Sequence, residues 1–231
     1  EGVEFSVVCV PEGYTYVPDN NFEQALVDLG YDSAVDDFVL TENISGVDAL
    51  DLNEREISDL TGIEAFTALT GLNCDSNQLT ALDISANTAL DTLYCSSNQL
   101  TTLDVSANTT LKYLSCNSNQ LTSLDVSNNT ALERFYCNSN QLTSLDVSTN
   151  TALNDLDCSL NQLTYLNMSN GITDALTTFD ATDNTLTCIE VNEEDVDWAT
   201  ENWISGNGNI DEGVVFEVIC VPEGYTYVPD N

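Results

Sequence analysis

The sequence predicts a β-solenoid of parallel β-sheets: five 21-residue coils plus irregular terminal coils, an N-terminal helical cap, and a C-terminal cap closed by a disulfide. Three observations support this fold class. From Thr67 the chain repeats every 21 residues, beginning with TALTGLNCDSNQLTALDISAN. A helix-capping pattern precedes the repeats, and two cysteines bracket a Trp-containing segment after them. A repeat this short cannot bury a core alone, so successive repeats stack on one another.

Each repeat contains two similar halves, and each half predicts one short strand. A leucine and the residue two positions later point to the same side of a strand, so both apolar side chains face inward. Stacking at about 4.8 Å pairs each strand with its counterpart in the next coil. We therefore expect two parallel sheets. An asparagine follows each first strand, where its amide can bond to backbone groups, and we expect this column to be structural: Asn77, Asn98, Asn119, Asn140 and Asn161.

Five cysteines share one inward position of the repeat: Cys74, Cys95, Cys116, Cys137 and Cys158. A buried cysteine behaves as a small apolar side chain. Stacked Cβ atoms about 4.8 Å apart are farther separated than the roughly 3.8 Å of a disulfide. The chain also has no His to activate a thiol. The pattern predicts free thiols that fill the core.

Both ends of the repeat region carry capping signals. Asp19 or Asn20 can cap a helix, and Gly30 suits its C-terminal end. The helix should bury Phe22, Ala25, Leu26 and Leu29. At the other end, a bridge between Cys188 and Cys220 would close a loop containing Trp198 and Trp203. The predicted divisions are 1–17 (tail of a preceding module or linker), 18–66 (N-terminal cap and first irregular repeat), 67–187 (solenoid), 188–221 (C-terminal cap) and 222–231 (start of a following module).

A duplicated segment accounts for the outer divisions. VCVPEGYTYVPDN at 8–20 recurs as ICVPEGYTYVPDN at 219–231, which makes Cys9 the counterpart of Cys220. The expected partner of Cys9 is then the counterpart of Cys188 in a preceding module. The duplication predicts one module of a tandem array, and the alternative is a single module whose two ends share a motif.

The repeat pattern L-x-x-L-x-C-x-x-N-x-L is that of a leucine-rich repeat. The nested half-repeat L-x-x-L-D-V-S-x-N resembles the bacterial 21-residue class called IRREKO, and ISGVDALDLNEREISDLTGIEAF resembles the first repeats of internalin-like proteins. The resemblance implies a bacterial protein, extracellular or on the cell surface, that carries adjacent homologous modules and acts in adhesion or protein binding.

The charge balance excludes several functions. Three Lys and Arg stand against 39 Asp and Glu, and the net charge is −36. Nucleic acids and anionic membrane surfaces attract cationic proteins, so neither is an expected partner. No apolar run is long enough for membrane insertion. Without a nucleophile–base pair or a metal-binding motif, we expect no enzyme activity.

The outward positions of the first strand vary from coil to coil and form the candidate ligand site: Tyr94, Lys112, Tyr113, Arg134, Tyr136, Asp155 and Asp157. Tyrosine and arginine are common interface anchors, and a protein or glycan is the expected ligand. The alternative is that cross-strand aromatic packing only stabilises the sheet. The alternative function is a rigid spacer between other parts of a surface protein.

The second half-repeat instead carries a uniform acidic column: Asp83, Asp104, Asp125 and Asp146. Stacked carboxylates repel one another. Hydrogen bonds from Ser, Thr and turn amides would relieve the repulsion, and bridging Ca²⁺ is the alternative. The spacing matches neither an EF-hand nor the nonapeptide calcium repeat. No cofactor is therefore expected, with Ca²⁺ kept as the weaker reading.

Overall fold

The computed structural model describes residues 9–220 and confirms the predicted β-solenoid with a cap at each end. In chain order the strands are β1 (Tyr14–Tyr16), β2 (Phe38–Leu40), β3 (Ala49–Asp51), β4 (Gly71–Asn73), β5 (Thr92–Tyr94), β6 (Tyr113–Ser115), β7 (Arg134–Tyr136), β8 (Ser144–Asp146), β9 (Asp155–Asp157), β10 (Tyr165–Asn167), β11 (Thr178–Asp180), β12 (Cys188–Glu190) and β13 (Val215–Glu217). The α-helices are α1 (Asn20–Asp28), α2 (Thr41–Ile44) and α3 (Val196–Asn202), and short 3-10 helices span Ile63–Ala65, Thr173–Ala175, Glu193–Asp195 and Ser205–Asn207.

The main sheet has seven parallel strands in the order β3, β4, β5, β6, β7, β9 and β11. Its register steps one repeat at a time, so that Leu72 lies opposite Leu93 and Leu93 opposite Leu114. The central residue of each main-sheet strand points into the core, and its two neighbours point outward. Leu72, Leu93 and Leu114 are at most 1% exposed. The coils therefore stack as the repeat predicted.

The asparagine column hydrogen-bonds to backbone groups just after the end of each main-sheet strand. In one coil, Asn98 donates from Nδ2 to the carbonyls of Cys74 and Cys95, at 3.0 and 3.2 Å. Its Oδ1 accepts the amide of Leu79 at 3.0 Å. The bonds thus reach back to the preceding coil. The residue before the asparagine, such as Ser97 with φ 53°, takes the left-handed turn conformation.

The prediction of a second strand in every coil was wrong for the first coils. The second sheet contains only β8, β10, β12 and β13. The inward leucine of the second half-repeat is half-buried at Leu82, 8–9% exposed at Leu103 and Leu124, and at most 1% exposed at Leu145 and Leu166. The second half-repeats therefore pack closely enough to form backbone hydrogen bonds between strands only from Ser144 onward.

The five repeat cysteines form a column of free thiols inside the core, as predicted. All five are 0% exposed. Burial raises the pKa of every one of these thiols, that of Cys116 to about 12. A thiol that stays protonated away from solvent is neither a nucleophile nor a metal ligand. The cysteine column therefore serves to pack the core.

The N-terminal cap begins with β1, which pairs antiparallel with β2. Val17 is fully buried, so this part of the 1–17 division packs within the cap. Asp19 accepts the amides of Asn21 and Phe22 and is the helix cap. The expected helical face is buried at Phe22, Ala25 and Leu26, but Leu29 is 41% exposed because it ends the helix instead of lying on its inner face.

A buried carboxylate joins α1 to the loop before β2. Glu23 is 0% exposed. Its Oε1 accepts the amides of Asp36 and Phe38 at 2.9 Å, and its Oε2 accepts that of Asp37 at 3.0 Å. These three bonds satisfy a charge that would otherwise be costly to bury.

The C-terminal cap covers the last coil with aromatic side chains. Trp203 is 4% exposed, and its ring centroid lies 4.2 Å from that of Phe179 and 5.8 Å from that of Phe216. The predicted Cys188–Cys220 disulfide is present. Residues 1–8 of the predicted tail and the predicted module start at 222–231 lie outside the described residues. Between residues 9 and 220 no helix is long and apolar enough to cross a membrane.

Candidate binding face

The outward side of the main sheet between β5 and β9 brings most of the predicted site residues together. We call this surface the tyrosine face. It comprises Tyr94, Lys112, Tyr113, Arg134, Tyr136, Asp155 and Asp157. Every residue except Lys112 flanks the buried centre of a strand, and Lys112 immediately precedes β6. Strand pairing therefore fixes the spacing of the outward side chains.

Three tyrosines pack against each other on this face. Tyr113 contacts Tyr94 with ring centroids 4.7 Å apart and Tyr136 with centroids 5.6 Å apart. Tyr94 and Tyr136 lie opposite Ser115, on the two strands that flank β6. The three rings thus meet diagonally across three strands, an arrangement that aromatic side chains can reach.

Partial burial raises the pKa of Tyr113 to about 12, with smaller contributions from the neighbouring Tyr94 and Tyr136. Burial also raises the pKa of Tyr136. Both hydroxyls are therefore neutral hydrogen-bond donors at neutral pH. All three tyrosines remain half-buried, so parts of their rings face solvent.

The two cations of the face differ in their surroundings. Arg134 forms an ion pair with Asp155, with Nε 3.1 Å from Oδ2, yet 55% of its side chain is exposed. Lys112 is exposed and has no carboxylate partner within 4.0 Å among residues 9–220. The chain's third cation, Arg55, is paired with Asp28 at 2.6 Å in the N-terminal cap.

The two aspartates of the candidate site hold the edge of the face in place. The side chain of Asp155 is only 13% exposed and accepts the Thr177 hydroxyl at 2.6 Å as well as the guanidinium of Arg134. Asp157 accepts the amide and the hydroxyl of Ser159 through Oδ1, at 3.0 and 2.6 Å. Both carboxylates are therefore engaged with their own coil or the adjacent one.

A shallow depression adjoins Tyr94 on the N-terminal side, and sequence reasoning did not identify it. Its volume is about 250 Å³, and it is lined by Ala49, Leu50, Asp51, Gly71, Leu72, Asn73, Thr92 and Tyr94. The small outward side chains at Ala49 and Gly71 create it. The signal in the sequence is Gly71, which occupies an outward position where the next coils carry Thr92, Tyr113 and Arg134.

The acidic column of the second half-repeat satisfies its own carboxylates locally. Each Oδ1 accepts the amide of the serine two residues later: Asp83 to Ser85, Asp104 to Ser106, Asp125 to Ser127 and Asp146 to Ser148. Hydrogen bonds from these serines lower the pKa of Asp83, Asp104 and Asp125. The structure of residues 9–220 contains no cluster of three or more acidic or sulfur ligands that could hold a metal ion.

The geometry defines the class of protein: a leucine-rich repeat solenoid with one fully paired sheet and one partly paired sheet. No protein-family model matches the chain. Internalin J of Listeria monocytogenes is 41% identical over 70 residues, which are 30% of this chain and 8% of that protein. The solved functional domain of InlJ, described as including a cysteine ladder, matches with a TM-score of 0.58 and 31% identity over 80% of this chain and 53% of that domain.

Other solved structures share the fold alone. A leucine-rich repeat protein of Leptospira interrogans matches with a TM-score of 0.61 at 21% identity, over 73% of this chain and 50% of that one. The chain is thus similar to bacterial internalin-like leucine-rich repeat proteins, as its repeat pattern indicated. The chain spans about half of the solved InlJ domain and a small part of Internalin J.

Proposed function

We propose that this protein is a non-enzymatic, extracellular bacterial binding module that holds a protein or glycan partner against the tyrosine face. The observation that carries the proposal is the contact of three partly exposed tyrosine rings next to Arg134 and Lys112. Aromatic rings present a large rigid area with polar tips, which suits both protein hot spots and sugar rings.

Order on this face favours binding over mere packing. The rings are fixed by the strand register and by each other, so little side-chain entropy remains to be lost when a partner binds. The ion pair to Asp155 holds Arg134 beside the rings while leaving 55% of its side chain exposed. A partner can therefore contact a preformed surface.

Electrostatics also point to this face. In a chain of net charge −36, an acidic partner is repelled by most of the surface. Of the three cations in the chain, Lys112 and Arg134 lie on this face, whereas Arg55 is paired with Asp28 in the N-terminal cap. An acidic protein segment or an acidic sugar would meet the weakest repulsion here.

The depression beside Tyr94 gives the face a place for one inserted group. Its volume of about 250 Å³ accommodates an apolar side chain or part of a sugar ring. A Cβ added at Gly71 would lie 3.9 Å from the Cβ of Ala49, so a larger residue fits there without strain. This gives a way to fill the depression selectively.

Relatives support the interaction role and the location. Internalin J and its solved functional domain, to which this chain is similar, are proteins of the bacterium Listeria monocytogenes. Because the match covers only part of those proteins, we propose adhesion, a surface location and a non-enzymatic role for this chain.

Glycan-array and protein pull-down screens of the native chain test the proposal. Any ligand is then measured against the quadruple variant Tyr94→Ala/Tyr113→Ala/Arg134→Ala/Tyr136→Ala, which should bind at least about tenfold more weakly. Gly71→Leu should weaken binding by filling the depression. The matched control Thr102→Ala/Ser123→Ala changes the second half-repeat and should bind as the native chain does.

Equal binding by the native chain and the quadruple variant would contradict the assignment of the face. A chain that yields no ligand in either screen would favour the second candidate, a rigid spacer. The observation for that role is the duplicated segment at 8–20 and 219–231, which indicates modules joined in series.

A further inference from the structure

Most of the large apolar side chains that the described residues expose lie at the two ends of the solenoid. Nine large hydrophobic residues are exposed among residues 9–220, and eight of them lie at the ends. Those of the N-terminal end are Val10, Tyr14, Leu29 and Val35, and those of the C-terminal end are Ile204, Val215, Val218 and Ile219. The ninth, Leu160, lies on the coils. Exposed apolar surface concentrated in this way marks an interaction site.

The C-terminal end also presents an open strand edge and a groove. Strand β13 is the last strand of the second sheet, and among the described residues its outer edge has no partner strand. An unprotected edge of this kind normally becomes covered. Beside it, a groove of about 380 Å³ is lined by Trp203, Ile204, Ile210, Val214, Val215 and Phe216, together with four smaller or polar residues.

The sequence suggests one partner that could cover this end. Residues 221–231 repeat residues 10–20 without a difference. In the structure, residues 10–20 run from the turn closed by the Tyr14 amide on Pro11, at 3.1 Å, through β1 to the start of α1. The same sequence follows Cys220, so the N-terminal cap of another copy is expected directly after the C-terminal cap.

The connection between the two caps is too short to separate them. Cys220 is fixed to the C-terminal cap by its disulfide to Cys188 and by its amide, which donates to Glu190 Oε1 at 2.9 Å. In the described copy, five residues lead from Cys9 to Tyr14, the first residue of β1. Five residues span at most about 17 Å. The first strand of a following cap must therefore lie beside the end of this one.

The pairing state of the cysteines agrees with this arrangement. Cys220 is bonded to Cys188, whereas its duplicate Cys9 is exposed and free. A preceding copy would supply the missing partner through its own Cys188. A disulfide between consecutive modules would then form at every junction.

We propose that the C-terminal end is a docking surface for the N-terminal cap of a second copy of this chain, joined through the repeated segment. Docking places the exposed apolar side chains of the two ends against each other and covers the edge of β13. The covalent connection matters because both ends are acidic and would repel as separate molecules, whereas linkage raises the effective concentration to the millimolar range. Consecutive modules then form a stiff rod instead of separate domains joined by a flexible linker.

A two-copy protein tests this inference independently of the tyrosine face. Residues 1–219 are followed by residues 9–231 of a second copy, so that the repeated segment forms the junction without loss of any residue. Hydrogen exchange is measured on the single chain and on the two-copy protein. The amides of β13 in the first copy and of β1 in the second should exchange at least about tenfold more slowly than in the single chain.

Variants at the exposed apolar positions give the matched comparison. Val215→Glu/Val218→Glu alters side chains that are 49% and 47% exposed in the single chain, so the single chain should fold and melt as before. In the two-copy protein, the same double substitution should abolish the slower amide exchange of β13 and of the second copy's β1. The control Leu160→Glu introduces a charge at a 52% exposed position on the coils and should preserve the protection.

The disulfide gives a separate readout. Peptide mapping of the two-copy protein should find Cys9 of the second copy bonded to Cys188 of the first, and in the single chain Cys9 should be the thiol that reacts with Ellman's reagent without denaturant. Equal exchange rates in the single and two-copy proteins, or a free Cys9 at the junction, would overturn the inference. Added protection that survives Val215→Glu/Val218→Glu would overturn the assignment of the surface.

Discussion

Raising the pH above 9 should unfold this protein steeply, because five thiols are protonated in the folded state and ionise only in the unfolded chain. The repeat cysteines are fully buried, and burial raises the pKa of each well above its usual value. A free thiol in an unfolded chain has a pKa of about 8.5. Stabilisation by these groups is therefore complete below about pH 8 and is lost as the pH rises.

The magnitude follows from proton linkage. Above the unfolded pKa, the unfolded chain binds one proton fewer per thiol than the folded chain. Each thiol then lowers the free energy of unfolding by about 1.4 kcal/mol per pH unit. Five thiols together give about 7 kcal/mol per unit up to about pH 12, where Cys116 begins to ionise in the folded state. A domain of ordinary stability, about 5–15 kcal/mol, would therefore unfold about 0.7 to 2 units above the unfolded thiol pKa of about 8.5, between about pH 9 and 10.5.

Urea titrations at a series of pH values between 7 and 10, followed by the fluorescence of Trp198 and Trp203, measure this slope. Cys116→Ala should reduce the slope by about 1.4 kcal/mol per unit, although the lost side-chain volume destabilises the protein somewhat at pH 7. Cys9→Ser, at an exposed position, should leave the slope unchanged. A slope below about 3 kcal/mol per unit, or the same slope in Cys116→Ala and the native chain, would refute the reasoning.

Three further predictions concern the asparagine side chains of the coils, the acidic column and the C-terminal cap. Asn119→Ala should destabilise the chain by about 2 kcal/mol, because it leaves the buried Leu100 amide unpaired and removes one of the two asparagine donors to the carbonyls of Cys95 and Cys116. Asn129→Ala, whose side chain serves two carbonyls and no amide, should cost less in the same urea titration. Asp104→Asn keeps an acceptor for the serine turn but removes the charge that strengthens its hydrogen bonds, and because these bonds lower the pKa of Asp104, the variant should lower the melting temperature at pH 7; an unchanged or raised melting temperature would contradict this. Trp203→Ala should cost about 3–5 kcal/mol because the ring packs between Phe179 and Phe216, and a loss below about 1 kcal/mol would show that the cap does not seal the core.

The repeat made much of the fold predictable because one 21-residue unit determines every equivalent position. Leu72 and Cys74 are inward for the same reason in each coil: alternation along a strand and stacking of identical units. Predictions drawn from one coil were therefore correct for the main sheet. They were wrong for the second sheet, because the Leu-Asp-Val segment has nearly the same sequence in early and late coils but pairs only from Ser144 onward.

The features that could not be predicted depend on contacts without a local pattern. Glu23 is a charged residue on a capping helix, which sequence reasoning places at the surface, yet it is buried because three amides of a distant loop converge on it. Within the candidate site, the alternation of the strand predicts that Tyr94 and Tyr113 face outward. Their contact at 4.7 Å depends on diagonal packing between different columns, which the sequence does not specify.

The unequal pairing of the two sheets explains why the candidate site lies on the main sheet. Asn98 uses both its amide hydrogens and its carbonyl oxygen in bonds that tie neighbouring coils together. The equivalent asparagine of the second half-repeat, Asn108, donates to two carbonyls, but its buried Oδ1 finds no partner among residues 9–220. The main sheet is paired from β3 to β11, whereas the second half-repeats before β8 are not. A binding surface needs side chains held at fixed spacing, and for the coils that carry Tyr94, Tyr113 and Tyr136 only the fully paired side of the solenoid provides that spacing.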